Sequence, residues 1–234
     1  MKVAIMQPYF VPYIGYFQLI NAVDKFVIYD DIEYTKKGWI NRNRILRNGE
    51  PVFISLPLKK DSDYLNVCQR TLSHNWDKDK RKLLNQIKGN YSKAKSFDIV
   101  YPLIENIINF ENDNLFEFLH HSLKVICNYL NINTEFVISS SLKIDPKLKS
   151  QDKVIEICNK LHASQYINPV GGLALYTQEE FSLHHIKLSF LQSTEFTYEQ
   201  FSNEYCPWLS ILDVMMFNEI KDVKTLINSQ FKFI

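Results

Sequence analysis

The start of the chain constrains its fold most. A short apolar run, Val3-Ala4-Ile5, leads into Met6-Gln7-Pro8-Tyr9-Phe10-Val11-Pro12-Tyr13-Ile14-Gly15-Tyr16. An amphipathic segment, Phe17 to Val23, follows, and then a second apolar run, Phe26-Val27-Ile28-Tyr29. Pro8 and Pro12 keep the segment between strand and helix out of helical conformation. The order is strand, loop, helix, strand. The second strand is apolar throughout, as strands buried on both faces of a parallel sheet are. In such sheets a ligand sits beyond the carboxyl ends of the strands. The second run ends in Asp30-Asp31, so this opening segment outlines a small-molecule site.

Periodicity extends the pattern. Strands are predicted at Lys2 to Met6 and Lys25 to Tyr29, with a helix from near Gly15 to about Ala22. Asn43 to Leu58 reads as a hairpin, because Asn48-Gly49 suits a turn that needs positive φ at both positions. Trp76 to Tyr91, Phe97 to Phe110 and Asn114 to Leu130 carry apolar residues at three- and four-residue spacing and are predicted helices. Asp113 or Asn114 is the cap of the last. Further on, Glu135 to Leu142 reads as a strand and Gln151 to His162 as a helix capped by Ser150. Gln165 to Pro169 is a strand running into Gly171-Gly172. Leu173 to Leu183 is helical, Ile186 to Leu191 is a strand, and Trp208 to Phe217 and Asp222 to Phe231 are helices. Strands alternating with helices predict an α/β fold with a mainly parallel, Rossmann-like sheet and flanking helices. A β-hairpin insertion and a helical C-terminal half complete it. The 234 residues suit one domain spanning 1–234, with 74–131 as a helical subregion.

The 27 basic and 26 acidic side chains leave a net charge of +1, so no global field attracts nucleic acid or a membrane surface. Any anion site must be local. The cysteines, Cys68, Cys127, Cys158 and Cys206, show no C-x-x-C spacing and read as reduced thiols of a cytoplasmic protein. Cys158 and His162 are four apart on a predicted helix, but two ligands are too few for a site, and no metal is expected. His120-His121 and His184-His185 lack a partner pattern and read as structural. Met1-Lys2 runs straight into a strand-like segment without a secretory signal, and the longest apolar runs are much shorter than a membrane span.

Five constellations could carry chemistry. After the first strand, Gln7, Tyr9, Tyr13 and Tyr16 bring an amide and three phenols to a helix N-terminus, and Gly15 lets a ligand approach the backbone. The bland alternative is an aromatic plug. Asp30 and Asp31, with Glu33, supply carboxylates able to hold Mg²⁺, to orient a sugar hydroxyl or to act as a base, the bland alternative being a solvated turn or a cap. Consecutive side chains diverge, so one aspartate points inward. Lys36-Lys37-Gly38-Trp39-Ile40-Asn41-Arg42-Asn43-Arg44 packs two lysines, two arginines, two asparagines and a tryptophan together. Arginine forks match phosphate oxygens, and tryptophan stacks on a base or sugar face. Lys59 and Lys60 extend this loop. No further basic stripe does, which argues against nucleic acid. Asn168-Pro169-Val170-Gly171-Gly172-Leu173-Ala174-Leu175-Tyr176 is a strand end, a glycine pair and a helix start, or simply a tight turn. Ser210 and Asp213 lie three apart on one helical face. Capping is the commoner role for such a serine, and no histidine lies near to activate it.

As a set, Met6-Gln7-Pro8-Tyr9-Phe10, Tyr13-Ile14-Gly15-Tyr16-Phe17, Tyr29-Asp30-Asp31, Lys37-Gly38-Trp39-Ile40-Asn41-Arg42-Asn43, Gly171-Gly172 with Tyr176, and Leu209-Ser210-Ile211-Leu212-Asp213 resemble the WbqC-like family nearly end to end. That family is found in bacterial surface polysaccharide (O-antigen) synthesis, and a glycine-transferase role has been suggested for it. The resemblance implies an enzyme that forms an amide, glycyl or another acyl, on a nucleotide-linked amino sugar. Its partners would be that nucleotide-activated sugar and an acyl or aminoacyl donor, with homo-oligomerisation left open. On this reading Lys37, Arg42, Arg44, Lys59 and the turn at Tyr13 to Tyr16 hold the nucleotide. Trp39 and the tyrosines stack on base or sugar. Asn41 and Asn43 bind a carbonyl or sugar hydroxyls, and Asp30 or Asp31 is the base. A more distant likeness to the nucleotidylyltransferase and pantothenate-synthetase superfamily places Tyr13-Ile14-Gly15-Tyr16 where those enzymes carry an H-x-G-H motif, without either histidine. An ATP- and Mg²⁺-dependent amide ligase, a nucleotidylyltransferase and a non-catalytic sugar-nucleotide binding protein are the alternatives. Only the ligase requires ATP and Mg²⁺ as cofactors.

Overall fold

The computed structural model describes residues 1–201 and 204–234. Strands β1 (Lys2–Met6) and β2 (Lys25–Ile28) flank helix α1 (Ile14–Asn21). A hairpin, β3 (Arg42–Arg47) and β4 (Glu50–Ser55), leads to helices α2 (Trp76–Tyr91), α3 (Phe97–Ile108) and α4 (Leu115–Leu130). Then come β5 (Glu135–Ile138), α5 (Ser150–Lys160), β6 (Gln165–Pro169), α6 (Gln178–Leu183) and β7 (Lys187–Ser193). Helices α7 (Ile211–Phe217) and α8 (Ile220–Ser229) and strand β8 (Phe231–Phe233) follow. The main sheet has the order β5-β2-β1-β6-β7-β8, parallel from β5 to β7. Counted along the chain, its parallel strands run 3-2-1-4-5, the doubly wound order whose switch point lies between β1 and β6.

Alternation assigns the two faces. Val3, Ile5, Val27, Tyr166 and Leu188 pack beneath α5 and α6, whereas Ala4, Phe26, Ile28 and Ile167 face the larger core. Both faces are covered, which is why the parallel strands read as continuous apolar runs. The larger core also takes Ile45, Leu46, Ile54 and Leu56 of the hairpin and the apolar faces of α2, α3 and α4. The hairpin turn forms as expected: Asn48 and Gly49 have φ of 51° and 84°, and Arg47 pairs with Glu50. Asn114 caps α4 by accepting from the Glu117 amide at 3.1 Å.

Several element boundaries differ from the sequence expectation. β5 stops at Ile138, and Ser139–Leu142 form a 3-10 turn. The turn occurs because the Ser139 hydroxyl and the Ser140 amide bind Asp30 instead of continuing the ladder. Lys149, not Ser150, is the N-cap of α5. The helix expected over Leu173 to Leu183 is a 3-10 turn at Val170–Leu175 followed by the short α6. α7 begins only at Ile211, because Trp208 lies at φ 62° and Ser210 caps the helix by accepting from the Leu212 amide. The last expected helix ends at Ser229, and Phe231–Phe233 turn back as an antiparallel edge strand on β7. A three-residue strand is too short to leave a period. No helix among the described residues is long and apolar enough to cross a membrane.

His120, on α4, is buried between Phe116 and Phe136, with ring centroids 5.6 and 6.0 Å away. Burial, with Lys124 and His121 nearby, pushes its pKa down to about 4. The unfolded chain takes up that proton below about 6.5. Between pH 6.5 and 4 the unfolded state therefore binds more protons, and stability falls as pH drops through that window. His120→Phe keeps the stacking and removes the titration. The melting temperature of the variant should decline less than wild type between pH 6.5 and 4; parallel declines would contradict this assignment.

Candidate functional site

A cavity of about 1430 Å³ opens at the carboxyl end of the parallel sheet. It exceeds the roughly 300–1,000 Å³ of an ordinary small-molecule pocket, so it has room for a large ligand or two substrates. Four strand ends build it. Gln7 follows β1, Tyr29 and Asp31 follow β2, Asn168 to Gly172 form the end of β6 and the turn after it, and Gln192 to Tyr198 continue β7. The position is the switch point, where adjacent connections leave on opposite faces and open a crevice.

The loop from Gln7 to Tyr13 is held by its carbonyls. Asn43 Nδ2 donates to Phe10 O at 3.0 Å and to Val11 O at 2.9 Å. The Ser210 hydroxyl donates to Val11 O at 2.6 Å, and the Ile211 amide to Pro12 O at 2.8 Å. Val11 sits at φ 39°, an outlier for a β-branched residue that persists only when its surroundings hold it. The loop delivers Tyr13 and Gly15 to the cavity at the start of α1. Tyr13 makes no side-chain cap; the Tyr16 amide turns back to Tyr13 O at 3.1 Å, and Ile14 and Gly15 begin the helix at the cavity wall. Gly15 is required by space: a Cβ there would lie 2.7 Å from Ser193 Oγ and against the Tyr13 ring.

The cavity holds one partly buried ion pair. Lys153, on α5, donates to Asp31 Oδ2 at 2.8 Å and lies 4.7 Å from the centre of the Tyr29 ring. Burial works against the Lys153 charge, but hydrogen bonds to Asp31 and Tyr29 outweigh it and hold its pKa above the usual lysine value. The Ser139 hydroxyl contacts both Asp30 and Asp31. Asp30 is buried, and its Oδ1 accepts from Ser139 at 2.8 Å and from the Ser140 amide at 2.9 Å. The two carboxylates share the Ser139 hydroxyl, but of the two Asp31 lines the cavity, while Asp30 ties β2 to the turn after β5.

The WbqC-like protein family matches residues 7–225. The chain belongs to this family. It is also 30% identical over 217 residues to "Uncharacterized protein Rv1507c" of Mycobacterium tuberculosis, an alignment that covers 92% of each chain. No solved structure matches this WbqC-like chain.

The WbqC-like fold distributes the sequence-selected residues unevenly. Gln7, Tyr9, Tyr13, Gly15, Asp31 and Trp39 line the cavity, as do Asn168, Gly171, Gly172 and Tyr176 on the opposite wall. Asn43 and Arg44 line a smaller pocket beside it. The rest lie elsewhere. Tyr16 is buried with its hydroxyl on Gln7 O. Asn41 spends its amide on Tyr34 Oη and Leu56 O. Arg42 grips the carbonyls of Gly38 and Lys37 and lies over Phe53. Lys37 and Lys59 are exposed outside both pockets. Asn43 keeps no free amide hydrogen for a ligand. For Asn41, Arg42 and Asn43 the reason is shared: a hairpin and a proline-bearing loop leave carbonyls outside any ladder, and these amides and the guanidinium satisfy them.

Two features escape a reading of the sequence. Lys153 carries no local signal, since it is one lysine on an amphipathic helix. The second is the network around Asp213, a residue the sequence pairs with Ser210 but whose carboxylate is buried among other partners. That carboxylate accepts from Tyr91 Oη at 2.7 Å, Tyr198 Oη at 2.6 Å and Gln200 Nε2 at 2.6 Å. Burial raises its pKa, against the pull of those three donors. Tyr198 and Tyr205 line the cavity, so Asp213 anchors one of its walls to α7 and α2. Ser210 is a helix cap donating to Val11 O, which leaves its hydroxyl engaged.

Proposed function

We propose that this WbqC-like protein is a transferase that forms an amide on a nucleotide-linked amino sugar during the synthesis of bacterial surface polysaccharide. The observation that carries the reading is the Asp31–Lys153 pair inside a switch-point cavity that the start of α1 also lines. Helix N-termini favour phosphate, and the first turn of α1 suits the diphosphate of a sugar nucleotide. A sugar amine is an ammonium at neutral pH and must lose a proton before it attacks. Asp31 takes that proton. The amine nitrogen bonds to the acyl carbon, the bond from that carbon to the donor's leaving group breaks, and the second amine proton departs with the leaving group. Lys153 faces the oxyanion that develops on the carbonyl oxygen between these events.

The test has two readouts. Binding to the folded state alone stabilises by about 2.7 kcal/mol at a hundredfold excess over Kd, or roughly 5–10 °C for a chain of this length. Uridine- and thymidine-diphosphate amino sugars should raise the melting temperature by this amount. With glycine, ATP and Mg²⁺, or with a preactivated acyl thioester, the sugar should gain the mass of the acyl group. A shift without a product would leave a binding protein. No shift with any nucleotide sugar would remove the reading altogether.

A further inference from the structure

A second pocket, of about 290 Å³, adjoins the cavity, and four of its lining residues, Tyr9, Tyr13, Trp39 and Trp208, line both. Its walls are mostly rings. Tyr13 and Trp208 meet edge to face with centroids 6.1 Å apart, and Arg44 lies over the Trp39 ring at 5.4 Å. Such a slot favours a flat ring, because every base has a π-face and stacking does not depend on its substituents.

The polar edge of the pocket is made of donors. Among the described residues no carboxylate lines it. The Asn43 amide is spent on Phe10 O and Val11 O. Arg44 Nη2 donates to Trp208 O at 3.1 Å, while Arg44 Nε is buried without a hydrogen-bond partner among the described residues. Burial raises the pKa of both Tyr9 and Tyr13, so the phenols keep their protons and remain donors. The indole N–H groups only donate.

Backbone strain marks the same place. Val11 and Trp208, both bulky, lie at positive φ, and hydrogen bonds from Asn43, Ser210 and Arg44 to their carbonyls hold them there. Strain of this kind is kept where it positions something. Here it holds a tryptophan that is 62% exposed at the mouth of the pocket.

We infer that this small pocket seats the base of the nucleotide, and that it favours uracil or thymine, whose two carbonyl oxygens meet the donors. Cytosine and adenine place an amino donor where uracil and thymine carry O4, so there it would face the guanidinium and indole N–H groups, which only donate. The inference rests on the nucleotide-sugar reading above and adds the base and its seat.

Titration of the full chain with uridine, thymidine, cytidine and adenosine 5′-monophosphates tests it, alongside an amino-sugar 1-phosphate that lacks a base. Uridine and thymidine monophosphates should quench tryptophan fluorescence and bind about tenfold or more tighter than the cytidine and adenosine compounds. Trp208→Ala should weaken uridine monophosphate about tenfold or more and leave the sugar phosphate unchanged. Trp208 is mostly exposed, so its removal spares the fold, and Trp39→Leu provides a second variant with the same expected result. Equal affinity for all four bases, or nucleotide-sugar binding that both variants leave intact, would overturn the base seat while the transferase reading stands. Absence of binding by any nucleotide sugar would overturn both.

Discussion

On the transferase reading, Asp31→Asn should lower the rate of amide formation by about 10²–10⁴-fold, the range over which a positioned general base contributes. The substitution is nearly isosteric. An asparagine still accepts from Lys153 and lies beside Ser139, so the change removes proton acceptance more than shape. Asp31 lies at the cavity wall, with a side chain that is 27% exposed. The melting temperature falls modestly, because the nearly buried Lys153 loses its counter-charge, and on the transferase reading nucleotide-sugar affinity should stay within a few-fold of wild type. A kcat within threefold of wild type would sink the assignment of Asp31 as base. The same change at Asp30 meets a different environment. Its carboxylate is buried and hydrogen-bonded by Ser139 and Ser140, so Asp30→Asn registers as a fall in melting temperature. Comparing the two variants separates a carboxylate that works on a ligand from one that holds two strand ends together.

Asp213→Ala destabilises the protein by about 4 kcal/mol. The side chain is fully buried and is the common acceptor for Tyr91, Tyr198 and Gln200. Each buried donor left without a partner costs about 1–3 kcal/mol, and coupled losses do not simply add. The sum is a large share of a typical 5–15 kcal/mol stability. Chemical denaturation should show it as a lower midpoint, and thermal melts as a drop of about 8–16 °C. Asp213→Asn keeps one acceptor oxygen and loses less. In a double-mutant cycle, Tyr198→Phe should cost clearly less in the Asp213→Ala background than in wild type. Additive effects would contradict a shared network. Because Tyr198 lines the cavity, ligand affinity should fall along with stability in Asp213→Ala.

Much of the architecture was legible because its causes are local. Asn48-Gly49 suits a turn with two positive φ values, and that requirement operates within two residues. The apolar runs at Val3 to Ile5 and Phe26 to Tyr29 reveal burial on both faces, which only a covered parallel sheet provides. The helical middle shows itself through repeated apolar spacing over many turns. Where these signals are short or compete with side-chain hydrogen bonds, the reading fails. Ser139 to Leu142 look like strand, yet the serines bind Asp30 and bend the chain. Leu173 to Leu175 sit in a 3-10 turn, and the Phe231–Phe233 strand is visible only through its pairing with β7.

The sequence alone determined the layered α/β class, the hairpin, and a polar, aromatic segment at the first strand end. These follow from periodicity, proline and turn chemistry acting over a few residues. Which carboxylate meets the cavity, which cation meets that carboxylate, and which asparagine holds the loop were decided by tertiary structure. Lys153 reaches Asp31 across 122 positions of sequence, and Tyr91 reaches Asp213 across the same separation. Contacts at that range are set by the order of strands in the sheet and by which helix covers each face. Neither leaves a local trace in the residues that end up touching.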